Sequence, residues 1–341
     1  MTATGRRQRA AIVGLSGPAL SAAEAEAWRE TPPLGAILFG RNIQDPVQLR
    51  ALVSDIRAEL GEGAPVLVDQ EGGRVARLRA PHWPDFPAAA AFGELPREAS
   101  EEAARANAAL LGLVCRDLGF DVVCAPVLDL RLPDRHEIVG DRAFGPDPAE
   151  VARLGRAWVR GLQEAGCVPV VKHIPGHGRA TADSHFELPR VSATRDELAE
   201  DCAPFAALAD SGAWAMTAHI LYEALDPTLP ATLSETVIGR VIRQAIGFNG
   251  VLVSDDLCMK ALRGDPGGLA RQAIAAGCDL VLHCNGDLSE TAALLAECPV
   301  LSALAEERLH AAKARMAEAR RPLDPAALRA ERDARFHTAA A

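Results

Sequence analysis

The stretch VPVVKHIPGHGRATADSHFELP, residues 168–189, changes character after its seventh residue. VPVVKHI (168–174) is almost continuously apolar and valine-rich, as a strand covered on both faces should be. Pro175, Gly176 and Gly178 then end it, and no hydrophobic period runs through residues 175–189. Lys172 and His173 therefore stand at the C-terminal end of a strand. That strand releases a loop carrying His177, Asp183 and His185.

The same event recurs along the chain. Strand-like runs occur at AAIVGL (10–15), GAILFG (35–40), PVLVDQ (65–70), VVCAPVLDL (122–130), WAMTAHI (214–220), GVLVSDD (250–256) and DLVLHCN (279–285). Alanine-rich amphipathic stretches at 45–60, 99–118, 148–165, 195–210 and 266–277 alternate with them as helices. Eight βα units predict an α/β fold, a single (β/α)₈ TIM-type barrel. Asp69, Asp129, Lys172 with His173, His219, Asp255 with Asp256, and His283 each close a different strand, on the face where such barrels build their sites. A doubly wound open sheet is the alternative, but it does not gather charged ends from six strands. No linker or repeat marks a second domain. The expectation is one catalytic barrel over 1–341, with a short helix and a frayed end from about residue 320.

The totals fit a large single core. The chain has 341 residues, 49% of them hydrophobic, and a formal charge of −10, which argues against a nucleic-acid partner. No run approaches the roughly 18 apolar residues that span a bilayer, so no membrane partner is expected. The basic and small residues before AAIVGL faintly imitate a signal peptide, but Gly14, Ser16, Gly17 and Pro18 interrupt it, and a first strand is the better reading. Eight scattered cysteines without a C-x-x-C pair read as buried free thiols in a reducing cytoplasm.

Three clusters carry chemistry. In the first, His173 and His177 are four apart and Asp183 precedes His185 by two, which invites a zinc reading. Pro175, Gly176 and Gly178 prevent the helix that would align such ligands, and there is no H-E-x-x-H, so no metal is expected. PGHG lacks the G-K-[ST] of a phosphate loop. The D-S-H of 183–185 instead offers a histidine whose tautomer a carboxylate can fix, a competent acid/base near neutral pH. The second cluster, GVLVSDDL (250–257), ends a strand with two aspartates, and alternation lets one face the barrel mouth as a nucleophile for an anomeric carbon. The other is expected to cap the next helix. The third, DQEGGRVARLR (69–79), presents Asp69, Arg74 and Arg77, either a grip for sugar hydroxyls or a structural ion pair. Arg142 in IVGDRAFG is equally ambiguous alone.

Taken together, PLGAILFGRNI, DQEGGRVARL, CAPVLDL, IVGDRAFG, KHIPGHGRATADSH, TAHILY and GVLVSDDL resemble the glycoside hydrolase family 3 β-N-acetylhexosaminidases, the NagZ-type enzymes of peptidoglycan recycling. The resemblance runs from about Ala11 to Ala319. It implies Asp255 as nucleophile, His185 as acid/base and Asp183 as its orienting partner. It also implies that Asp69, Arg77, Arg142, Lys172 and His173 hold a terminal N-acetylglucosamine, and that PGHG is a hinge for a lid. The implied substrate is a muropeptide fragment, N-acetylglucosamine on 1,6-anhydro-N-acetylmuramic acid, cleaved with retention by a cytoplasmic monomer that uses no cofactor. Ile174, where phenylalanine is more frequent, and the segment 131–139 depart from the family pattern. A family 3 β-glucosidase, an N-acetylglucosaminide phosphorylase and an inactive sugar-binding barrel are the rival readings.

Overall fold

The structure, a computed structural model, describes residues 7–133, 138–180, 184 and 187–339. Among the described residues ten strands form: β1 (Arg9–Gly14), β2 (Pro33–Leu38), β3 (Val66–Val68), β4 (Val122–Val123), β5 (Val168–Ile174), β6 (Arg190–Val191), β7 (Trp214–Thr217), β8 (Leu221–Tyr222), β9 (Leu252–Asp256) and β10 (Leu280–His283). Eight of them close a parallel barrel in the order β1-β10-β9-β7-β5-β4-β3-β2. The eight-stranded (β/α) barrel expected from the sequence is what forms. The pair β6 and β8, not expected, is a small parallel ribbon beside the barrel mouth.

Helices α1 (Ala22–Glu30), α2 (Pro46–Leu60), α3 (Ala89–Gly93), α4 (Arg97–Asp117), α5 (Pro148–Ala165), α6 (Arg195–Ala207), α7 (Pro266–Ala276), α8 (Leu288–Glu297), α9 (Ala303–Ala319) and α10 (Pro325–Ala339) surround it. Four of these begin at an Asp-Pro pair. Asp45, Asp147, Asp265 and Asp324 each accept from a first-turn backbone N–H, and the following proline brings a pre-set φ where no N–H is needed. Between β7 and β9 the chain takes a π-helical turn over Val237–Ala245.

Two expectations change in detail. VVCAPVLDL was expected to be strand throughout, but the regular ladder stops at Val123. The Ala125 N–H turns back to Val123 O at 2.8 Å and Pro126 has no N–H to give. Beyond Val123 the segment therefore holds β5 only through single bonds at Ala125 O, Pro126 O and Leu128 N–H and a bridge from Val127 to Lys172. The tail beyond residue 320 is a docked helix of 15 residues, not a short one. Leu328 is buried, Phe336 stacks edge-on to Phe92 at 5.3 Å, and Glu331 pairs with Arg105 of α4 at 3.0 Å.

Candidate active site

The C-terminal ends of β2, β3, β5, β9 and β10 surround a cavity of about 220 Å³. Its charged wall grows out of β3. After Val68 the chain stays extended, so Asp69 and Glu71 project to one side while Gln70 turns away to bond the backbone of Arg77 and Leu78. Lys172 Nζ, from the end of β5, sits between the two acids, 3.0 Å from Asp69 and 2.7 Å from Glu71. Arg142 grips Glu71 through two parallel bonds of 2.8 Å, and Arg77 reaches Asp69 at 3.2 Å. Five charges thus share one hydrogen-bonded network of two acids and three bases.

Burial and pairing pull against each other here, and pairing wins. Burial alone would raise the pKa of Asp69, but Lys172 and Arg77 hold it below its usual value. Glu71 is likewise driven well below the carboxylate range by Arg142 and Lys172 in spite of burial. Burial disfavours the Lys172 ammonium, yet Asp69 and Glu71 raise its pKa above that of a free lysine. All three are therefore ionised at neutral pH. Phe39 floors the network, with the Arg77 guanidinium 5.4 Å above its ring.

His173 is fixed by a residue from the segment that follows β4. Asp129 is fully buried, and its Oδ2 lies 2.7 Å from His173 Nδ1, while Oδ1 accepts from the backbone N–H of His173 and of His177. The contact assigns the proton to Nδ1, because Asp129 is held in its acceptor form: burial would raise its pKa, but His173 keeps it low. Nε2 is then the ring nitrogen that Asp129 leaves unengaged. His177 stacks edge-on at 5.6 Å, and burial pushes its pKa down to about 4, so it is neutral.

Asp255 and Asp256 end β9 and divide their work. Asp256 accepts from the backbone N–H of Cys258 and of Cys284, each at 3.0 Å, which ties the turn after β9 to β10. It caps a turn, not a helix as expected from sequence; α7 has its own N-cap in Asp265. Asp255 is buried at the cavity wall, its Oδ1 accepting from the Asp256 backbone N–H at 2.8 Å.

Asp69, Arg77, Arg142, Lys172, His173 and Asp255 therefore line one cavity. Asp183 and His185 lie outside the described residues. Ser184, between them in sequence, lines the cavity near Met259. Two strand-end histidines stand apart. His219 is buried, with Nδ1 2.7 Å from Thr232 Oγ1 and Nε2 donating to the carbonyl of Asp256, and His283 faces away from the cavity. PGHG is not a free hinge. His173, Pro175, His177 and their glycines are buried, Gly176 N–H donates to His173 O, and Tyr222 Oη donates to Gly176 O at 2.7 Å.

Sequence reasoning passed over Glu71, Phe39 and the positioning role of Asp129. Glu71 had a usable signal, the i, i+2 spacing from Asp69 at the end of a strand. Phe39 had none beyond its place after β2.

Residues 13–319 match the glycosyl hydrolase family 3 N-terminal domain. The chain belongs to this family. A β-hexosaminidase of Alkalilimnicola ehrlichii is 43% identical over 286 residues, 80% of either chain. The structure of NagZ from Neisseria gonorrhoeae in complex with N-trifluoroacetyl-D-glucosamine superimposes with a TM-score of 0.82 at 32% identity, covering 98% of both chains. A family 3 β-N-acetylglucosaminidase from a Paenibacillus superimposes at 0.80 with 34% identity over 92% of this chain, which spans 62% of that longer one. The family 3 chain is thus a glycoside hydrolase, built on the barrel described above. No helix among the described residues is long and apolar enough to cross a membrane.

Proposed function

We propose that this family 3 hydrolase is a retaining exo-β-N-acetylglucosaminidase that releases terminal N-acetylglucosamine from muropeptide fragments. The observation that carries this reading is the meeting of Asp255 with the Asp69–Lys172–Arg77–Arg142 network in one cavity. A carboxylate on a rigid strand faces a wall of fixed donors and acceptors suited to sugar hydroxyls. In this reading Asp255 attacks the anomeric carbon as the bond to the leaving sugar oxygen breaks, and His185, oriented by Asp183, gives that oxygen its proton. His185 then takes a proton from water, whose oxygen displaces Asp255 and releases the sugar with its β configuration retained. Lys172, Arg77, Arg142, Asp69 and His173 hold the ring, and no cofactor enters either step. Eight free cysteines, six of them buried, support a reducing cytoplasm as the compartment. The expected partner is the small amino-sugar substrate alone, met by a monomer.

The test is hydrolysis of 4-nitrophenyl N-acetyl-β-glucosaminide beside the glucoside, with and without phosphate. Turnover of the first, with free N-acetylglucosamine as product, supports the reading; preference for the glucoside, or a sugar phosphate as product, sinks it. Asp255→Ala is expected to lower kcat by roughly three orders of magnitude or more with folding intact. A 5-fluoro sugar should label the peptide containing GVLVSDDL, and a label on Asp69 or Asp129 would reassign the nucleophile.

A further inference from the structure

Cys258, His283 and Glu290 meet on the outer side of the barrel rim, behind the sugar cavity. Alternation along the end of β10 places them there: Leu282 and Cys284 line the cavity, so His283 between them turns outward. Cys258 comes from the turn after β9 and Glu290 from the first turn of α8. His283 Nδ1 lies 3.0 Å from Cys258 Sγ, and one ligand atom from each of the three residues falls within 4.8 Å of the others. His283 is buried, Cys258 half-buried and Glu290 exposed, so the cluster opens to solvent on one side. The glycosidase chemistry proposed above uses none of these groups.

We infer that Cys258, His283 and Glu290 form a site for zinc or a comparable borderline-soft divalent cation, with water as the fourth ligand. One thiolate, one imidazole and one carboxylate suit zinc in tetrahedral coordination, whereas magnesium and calcium demand an all-oxygen shell. Zinc holds sulfur and nitrogen ligands about 3.5 Å apart, so Cys258 and His283 need part by only about half an ångström. The supporting groups are in place. Asn285 Nδ2 donates to a Glu290 carboxylate oxygen at 2.6 Å and orients it. Burial keeps His283 in the neutral form that ligates. Burial and Asp256 push the Cys258 thiol up to about 12, while the backbone N–H groups of Asn285 and Cys284 favour its thiolate. A bound cation supplies the remaining stabilisation of that thiolate as its proton leaves to solvent. Such an ion would clamp the turn after β9 to β10 and α8. It would reinforce the tie that Asp256 already makes to Cys258 and Cys284. The site stands whether or not the substrate proposed above is correct.

The full chain, reduced and stripped with a chelator, is titrated with cobalt(II) and followed by absorption. The expected result is one bound equivalent giving a thiolate-to-cobalt charge-transfer band in the near ultraviolet and intense tetrahedral d–d bands, all abolished by zinc. Cys258→Ser should lose the charge-transfer band, and Glu290→Gln should keep it while binding cobalt about tenfold or more weakly. In the unmutated protein, zinc should protect Cys258 from alkylation, read by peptide mass. That measurement decides the matter if Cys258→Ser fails to fold. Absence of saturable cobalt binding, a band that survives Cys258→Ser, or alkylation of Cys258 that zinc leaves unchanged would each overturn the inference. The cluster would then be a hydrogen-bonded Cys–His pair.

Discussion

Glu71 stands between two cations, with a side chain only 6% exposed, facing Lys172 at 3% and Arg142 at 12%. Removing its charge takes the nearest anion from Lys172 and Arg142, two cations largely shielded from water. Glu71→Gln keeps the shape and is expected to cost about 3–5 kcal/mol of stability, the range for an ion pair broken by loss of one buried partner. Breaking the Arg50–Asp117 pair, with side chains 48% and 70% exposed, should cost less than about 1 kcal/mol. Urea denaturation of Glu71→Gln and Arg50→Ala compares the two, and equal midpoints would refute the role given to Glu71. The sequence made Asp69 and Arg77 visible as a choice between sugar grip and ion pair. The structure shows that the pairing is real and that Glu71 completes it. What stayed hidden was the partner from β5, because Lys172 lies 103 residues from Asp69 and no local spacing joins them.

Strands and helices were legible because burial on both faces writes a continuous apolar run, and the run at 168–174 coincides with β5 residue for residue. β4 was overread because apolar content says nothing about which N–H groups are free to pair. The loop after β5 was legible only as a loop. Its first turn is anchored by contacts to residues distant in sequence, which PGHG does not announce. Gly178 shows how tight that anchoring is: a Cβ there would lie 2.4 Å from the backbone oxygen of Leu130, and no rotamer change relieves a clash with main chain. Gly178→Ala is expected to lower stability by about 1–3 kcal/mol and to depress turnover as well, since the turn carries His177 and leads into the D-S-H segment. Gly145→Ala, where an added Cβ meets nothing within 4 Å, serves as the control. Unchanged melting and unchanged turnover in Gly178→Ala would show that the turn gives way freely.

At the scale of the whole barrel, the polar strand ends were enough to locate the mouth, but not to sort its groups by depth. His177 illustrates what depth does. Its ordinary pKa is 6.5, and burial brings it down to about 4 in the folded protein, partly opposed by Asp129 and Asp255 and reinforced by His173. Between those two values the unfolded chain holds a proton that the folded barrel refuses, so unfolding takes up protons and stability falls as the pH drops. The contribution is fully present above pH 6.5 and gone below about pH 4. The shift corresponds to about 3 kcal/mol at most. Asp201 acts in the opposite sense: burial raises its carboxyl to about 6 despite Arg179, so the folded state favours its proton and gains as the pH falls through that value. The pH dependence of stability therefore mixes two opposed slopes. Their separation comes from comparing the protein with His177→Asn, which removes one titration and leaves Asp201 and the other acids common to both. The gap in unfolding free energy between the two proteins should change by up to about 3 kcal/mol from pH 7 to pH 4, in the direction that favours the variant at the acid end. A gap that stays constant over that range would mean that His177 is free to take up its proton in the folded barrel, and that the turn after β5 opens to water.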